Sequence, residues 1–151
     1  MDLKSPGAYL LIIHLPEETT LRVRKRVFHL RKGFYVYVGS AMNGLGRRLR
    51  RHFCGRRKLH WHIDFLLNEA RLVRSYAVFS NERLEDELSI AVSGVGEGIE
   101  GFGASDRRLR SNLYRFESEP FALIERILRR KDLKFHIIDA LSVCSPAPAG
   151  E

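Results

Sequence analysis

Residues 35–52 read YVYVGSAMNGLGRRLRRH. With the preceding residue, Phe34–Gly39 combines aromatic and β-branched side chains, which suit a pleated surface, and this predicts a strand. Small residues and glycines then make a turn. Apolar residues Leu45, Leu49 and Phe53 fall four apart and share one face of a short helix. Arg48 and Arg51 lie on one further side of it, and Arg47 and Arg50 on another. A strand end followed by a helix rich in guanidinium groups can hold a phosphate, because arginine's planar fork matches two of its oxygens. A solvated basic face is the plainer alternative, and this segment alone leaves both open.

Upstream, Gly7–Leu15 is an almost unbroken apolar run ended by Pro16, the pattern of a buried strand. Leu21, Val23, Val27, Phe28 and Leu30 alternate with arginine and predict a half-exposed strand region. Downstream, Cys54–Lys58 is a basic loop, and 61–70 predicts a helix with Trp61, Phe65 and Leu66 turned inward. Leu72–Phe79 predicts a strand, and Ser80 or Asn81 can cap a helix over 82–93. Gly94–Gly103 holds five glycines and reads as a loop. Ser111–Phe116 predicts a strand, Pro120 opens a helix running to Arg130, and Lys134–Asp139 predicts a last strand. Residues 140–151, rich in Ala, Pro and Ser, predict a disordered tail behind a domain of residues 1–139. The mixture lacks regular βαβ alternation and predicts one α+β layer structure.

The chain has 151 residues, 44% hydrophobic and 29% charged, an ordinary globular balance. That length buries enough surface to fold without a disulfide or metal. The longest apolar run, Ala8–Ile13, is too short to span a membrane. Cys54 and Cys144 lie far apart with no CxxC, which leaves a reducing, cytoplasmic setting as the default. The net charge is +8, and its placement is lopsided. Residues 1–63 hold 14 basic and 3 acidic residues, and none of those between Glu18 and Asp64 is acidic. A surface normally mixes signs, so a one-sign stretch of this length points to a polyphosphate partner, nucleic acid above all.

Gly7-Ala8-Tyr9 on the first strand, Tyr37-Val38-Gly39 on the second and Leu45-Gly46-Arg47-Arg48-Leu49 on the helix resemble, in order, the motifs of the GIY-YIG nuclease superfamily. Tyr37–Ala41, Arg48–His52 and His60–Leu67 are more closely similar to one subgroup. This is the small domain-of-unknown-function family, number 123, often found beside or fused to endonuclease III-like repair proteins. Phe102–Asp106 and Ser111 also match it. Arg107, Leu109 and Asn112 stand where that family shows two cysteines and a histidine. Pro16–Lys32 lengthens the spacing between the first two motifs beyond that of most nucleases of the superfamily.

The resemblance implies a central, mainly antiparallel sheet flanked by helices and a metal-dependent endonuclease acting on nucleic acid, DNA in repair rather than RNA, with DNA-repair proteins as possible partners. It implies catalytic roles for Tyr9, Tyr37 and Arg48, with His52 as a second candidate base, and one Mg²⁺ or Mn²⁺ held by a glutamate on a later helix. Glu87 is the expected ligand, because it falls inside an apolar stripe read through Leu84, Leu88, Ala91 and Val95. Tyrosine acts as a base only if cationic neighbours lower its pKa from about 10. Arg47, Arg50, Arg51, Arg56, Arg57, Lys58, His60 and His62 are the expected nucleic-acid contacts. Strand packing for the tyrosines and a buried salt bridge for Glu87 are the structural alternatives.

Two rival functions follow from the same residues. One is a binding module that grips DNA or RNA without cutting it. The other is a zinc hydrolase on His60-Trp61-His62-Ile63-Asp64, disfavoured because histidines two apart on a helix diverge. Asp64 as a cap paired with an arginine, and Trp61 in the core, are the expectations there. Gly96–Gly101 matches GxGxxG but follows a helix, so it lacks the strand–turn–helix context of dinucleotide binding.

Overall fold

A computed structural model describes residues 4–54, 58–103 and 111–144. The apolar run forms β1 (Gly7–Leu15), and the alternating stretch forms β2 (Thr19–Val23) and β3 (Arg26–Leu30), a two-stranded hairpin of its own. There follow β4 (Gly33–Ala41), α1 (Leu45–Phe53), α2 (His62–Leu67), β5 (Arg71–Phe79) and α3 (Glu85–Ser93). The described residues continue with β6 (Glu97–Gly98), β7 (Leu113–Phe116), α4 (Phe121–Arg130), β8 (His136–Ile138) and α5 (Ala140–Val143). Six strands make one sheet in the order β6-β7-β4-β1-β5-β8, with every pair antiparallel. The expected α+β architecture is thus present.

β1 sits in the middle, and its two residue sets feed two cores. Tyr9, Leu11, Ile13 and Leu15 pack on one face with Leu45, Leu49, Ile63, Leu66 and the hairpin's Leu21, Val23, Phe28 and Leu30. Ala8, Leu10 and Ile12 pack on the other with Leu84, Leu88, Val92, Ile124 and Leu128. Burial on both faces explains why β1 is apolar from Ala8 to Ile13 rather than alternating. Each such buried Leu or Ile stabilises the fold by about 1.5–3 kcal/mol relative to exposure.

Three expectations change. The glycine-rich segment is not loop throughout, since Glu97–Gly98 pairs with Arg115 and Tyr114. The tail does not begin at residue 140. Asp139 caps the turn Ala140–Val143 by accepting from Ser142 N, and Val143 is buried. Cys54 and Cys144 are joined in a disulfide, with Cα atoms 5.5 Å apart, where free thiols were expected. The fold brings the end of α1 against α5, which a separation of 90 positions does not reveal. No helix among the described residues is long and apolar enough to cross a membrane.

Candidate active-site cleft

Register places the phenols. Tyr9 on β1 lies opposite Gly39 on β4, and Tyr37 lies opposite Leu11, so both tyrosines rise from the same face, with ring centroids 6.4 Å apart. Gly39 makes room: a Cβ there would stand 2.5 Å from the Tyr9 ring and hydroxyl. After Ala41 the chain turns through Gly44, whose φ of 147° favours glycine, and enters α1. Leu45, Leu49 and His52 face inward, and Arg47 and Arg50 face water. His52 is buried, and its Nε2 lies 2.9 Å from the Tyr9 hydroxyl. Arg48 extends along the cleft, donating to the Ser40 carbonyl at 3.3 Å.

A cleft of about 190 Å³ is lined by Tyr9, Tyr37, Gly39, Ser40, Arg48, Trp61, Ile63, Glu85, Gly103 and Asn112. Its carboxylate is Glu85, not Glu87. Glu87 is half exposed and pairs with Lys131 at 3.3 Å. The buried line of α3 runs through Glu85, Leu88, Ser89 and Val92, whereas Val95 is exposed. The stripe read from the sequence was therefore out of phase, because the face that meets the sheet contains a serine and a glutamate. Asn112 donates from Nδ2 to Glu85 Oε2 at 3.3 Å and to the Gly103 carbonyl at 3.2 Å. Ser89 Oγ donates to Asn112 Oδ1 at 3.2 Å.

The other wall is built by Asp64. Fully buried, it accepts from Arg51 at 2.6 and 2.8 Å and from the backbone N–H groups of His60 and Trp61 at 2.9 and 2.8 Å. Burial alone raises a carboxyl's pKa. The Arg51 fork and those two N–H donors overcome it and hold Asp64 below its ordinary range. This confirms the cap and arginine pair, and it commits Arg51 to structure rather than to a free phosphate contact. Trp61, expected in the core, is 38% exposed instead. The Asp64 turn holds its indole against the guanidinium groups of Arg48 and Arg51, at 4.4 and 4.5 Å.

The zinc reading of this segment loses its donors. Asp64 is taken by Arg51, and His62 Nδ1 accepts from Gly103 N at 2.8 Å. Among the described residues no group of three or more His, Cys, Asp and Glu is arranged to hold a metal by itself. His60 and Lys58 are exposed beside the cleft region, and Arg56 and Arg57 lie outside the described residues. The phenols also depart from expectation. Burial pushes Tyr9 up to about 12 despite Arg48, and it pushes Tyr37 well above its ordinary value. Neither is a ready phenolate. Sequence reasoning missed Glu85 and Trp61 as cleft residues. The spacing of Glu85 to Leu88 and Ser89 was the available signal for the first.

No curated protein and no solved structure matches the chain. A family model described as domain of unknown function DUF123 matches residues 8–133, so the chain belongs to that family.

Proposed function

We propose that this protein is a metal-dependent endonuclease of the GIY-YIG type, hydrolysing phosphodiester bonds of DNA in a repair setting. The supporting observation is convergence. Side chains at positions 9, 37, 48 and 85 line one cleft, and His52 touches Tyr9 from behind. Fold alone does not assign chemistry, but two phenols, a guanidinium, an imidazole and a carboxylate together suit phosphoryl transfer. The Cys54–Cys144 bridge removes the cysteine argument for a reducing compartment, so a cytoplasmic setting rests here on the nucleic-acid substrate alone.

Glu85 fits a hard divalent ion. A single carboxylate beside open volume suits Mg²⁺ or Mn²⁺, which keep several waters and take phosphate oxygens as further ligands. When bound, the ion supplies Lewis-acid stabilisation of charge on phosphate oxygens. The protein's own groups do the rest. Arg48 lies where it can donate to a phosphoryl oxygen as negative charge builds in the transition state. Tyr9, at about 12, is ionised in only about 1 molecule in 10⁵ at pH 7. It therefore acts as a relay: its oxygen accepts the proton of the attacking water while its own proton passes to His52 Nε2, 2.9 Å away. His52 Nε2 is the acceptor that the geometry offers for that proton. Tyr37 remains a neutral donor into the same cleft.

The test is cleavage of supercoiled and branched DNA in Mg²⁺ or Mn²⁺. Wild type nicks. Arg48→Ala and Glu85→Gln each lose about 10²–10³-fold, and Glu85→Gln keeps its DNA affinity. Glu87→Ala stays within about twofold, as expected for an exposed ion pair. Salt-sensitive binding with no cleavage in either metal would overturn the nuclease and favour the binding module.

A further inference from the structure

A second cleft, also of about 190 Å³, opens beside the first, lined by Arg24, Tyr37, His60, Trp61, His62 and Gly103. Tyr37, Trp61 and Gly103 line both, so the two share a wall. Among the described residues no acidic side chain lines the second. Arg24 stands at the tip of the β2–β3 hairpin and donates from one Nη to the His60 carbonyl at 3.0 Å, which aims the guanidinium at this cleft. Its φ is 55°, a left-handed conformation that glycine or asparagine adopts readily and that strains a long side chain. The hairpin thus holds a cation where an unstrained turn residue would serve the fold better. His62 accepts at Nδ1 from Gly103 N, so its ring proton sits on Nε2, a neutral donor. Burial, then the charges of Arg26 and Arg24, lower its pKa and keep it in that form at neutral pH.

We propose that this second cleft is a phosphate subsite, taking the backbone phosphate that neighbours the one bound in the first cleft, with the β2–β3 hairpin as the arm that supplies it. The proposal rests on the nuclease reading for what occupies the first cleft, but its binding arm does not require cleavage. The stretch from Arg22 to Lys58 holds no acidic residue and carries the arm and α1 together, which is the charge pattern such a strand path needs.

The experiment measures fluorescence anisotropy of a labelled single-stranded DNA oligonucleotide in chelator, titrated with salt. Arg24→Gln retains an N–H for the His60 carbonyl. Arg24→Gly relieves the backbone strain, so it folds at least as well as wild type. Both should weaken binding about 3–10-fold at 0.1 M salt, and both should flatten the log–log salt slope by about 0.7, the loss of one phosphate contact on a single strand. Arg130→Gln removes the same charge from α4, which packs on the opposite face of the sheet, and should change neither. Inorganic phosphate at millimolar concentration should not displace the oligonucleotide from wild type; displacement would mark a site for free phosphate and overturn the proposal. Wild-type binding by Arg24→Gly, or an equal loss in Arg130→Gln, would also overturn it. In the cleavage assay Arg24→Gln should raise KM with kcat within twofold, and a fall in kcat alone would overturn the subsite. If wild type never cleaves but the slopes change as stated, the nuclease reading fails and the second phosphate contact stands.

Discussion

Asp64→Asn tests whether one buried carboxylate builds the cleft wall. The substitution keeps size and removes the charge that accepts hydrogen bonds from both Nη of Arg51 and from the backbone N–H groups of His60 and Trp61. Breaking a buried ion pair from one side costs about 3–5 kcal/mol. The Arg51 side chain is 27% exposed and can turn to water, which puts the expected cost at the low end, about 3 kcal/mol. With a urea m-value of roughly 2 kcal/mol/M, the unfolding midpoint should fall by about 1.5 M. Trp61 is the one tryptophan and sits on the affected turn, so its fluorescence reports both the unfolding and any change in the folded turn. The pH dependence has a definite sign. The folded carboxyl's pKa lies below the ordinary 3.8, so its stabilisation is complete above that value and is lost as pH falls through the folded value. The gap between wild type and Asp64→Asn should therefore be full at pH 7 and shrink below about pH 4. A midpoint change under about 0.5 M, or a gap that widens in acid, would refute the reasoning.

Gly39→Ala places a methyl 2.5 Å from the Tyr9 ring and hydroxyl and should cost about 1–3 kcal/mol while cutting cleavage more than tenfold; an active, fully stable variant would mean Tyr9 is not held by that close approach. His52→Gln removes the acceptor for the Tyr9 proton and should cut kcat about 10²-fold or more, and kcat should not climb with pH toward 12; a rate still climbing toward pH 12 would make the Tyr9 phenolate the base. Cys54→Ser, or a dithiol reductant on wild type, should lower stability by about 2–4 kcal/mol in thermal melts, because the bridge closes a loop spanning most of the chain. Unchanged melts with and without reductant would show that the bridge does not form.

How much was legible depends on which physical signal each element left. β1 and β4 were plain because burial forces apolar and aromatic runs, and α1 was plain because Leu45 and Leu49 repeat at helical spacing. The two tyrosines and Arg48 lie on those strands and that helix, but only the resemblance to the GIY-YIG motifs singled them out. The carboxylate was not legible in the same way. A hydrophobic stripe locates a helix face only when its buried members are apolar, and α3 buries Glu85 and Ser89 toward Asn112. Trp61 illustrates the opposite error. Large aromatics default to the core, but the hydrogen bonds on Asp64 set the turn that carries it to the surface. The disulfide depends on tertiary proximity alone, and nothing local to Cys54 or Cys144 encodes it.

Leu15 at the end of β1 pairs with Gly33 at the start of β4, so the β2–β3 hairpin leaves and rejoins the sheet at one rung. Seen that way, the hairpin is an insert between two paired strands of the sheet, anchored to the core by Leu21, Val23, Phe28 and Leu30. A short turn spliced across that rung would leave Tyr9 and Tyr37 in register, although it would uncover Phe102 and His62 beneath Phe28. Under the nuclease proposal, changing that insert alters how much substrate backbone the molecule contacts without shifting the register of the two phenols.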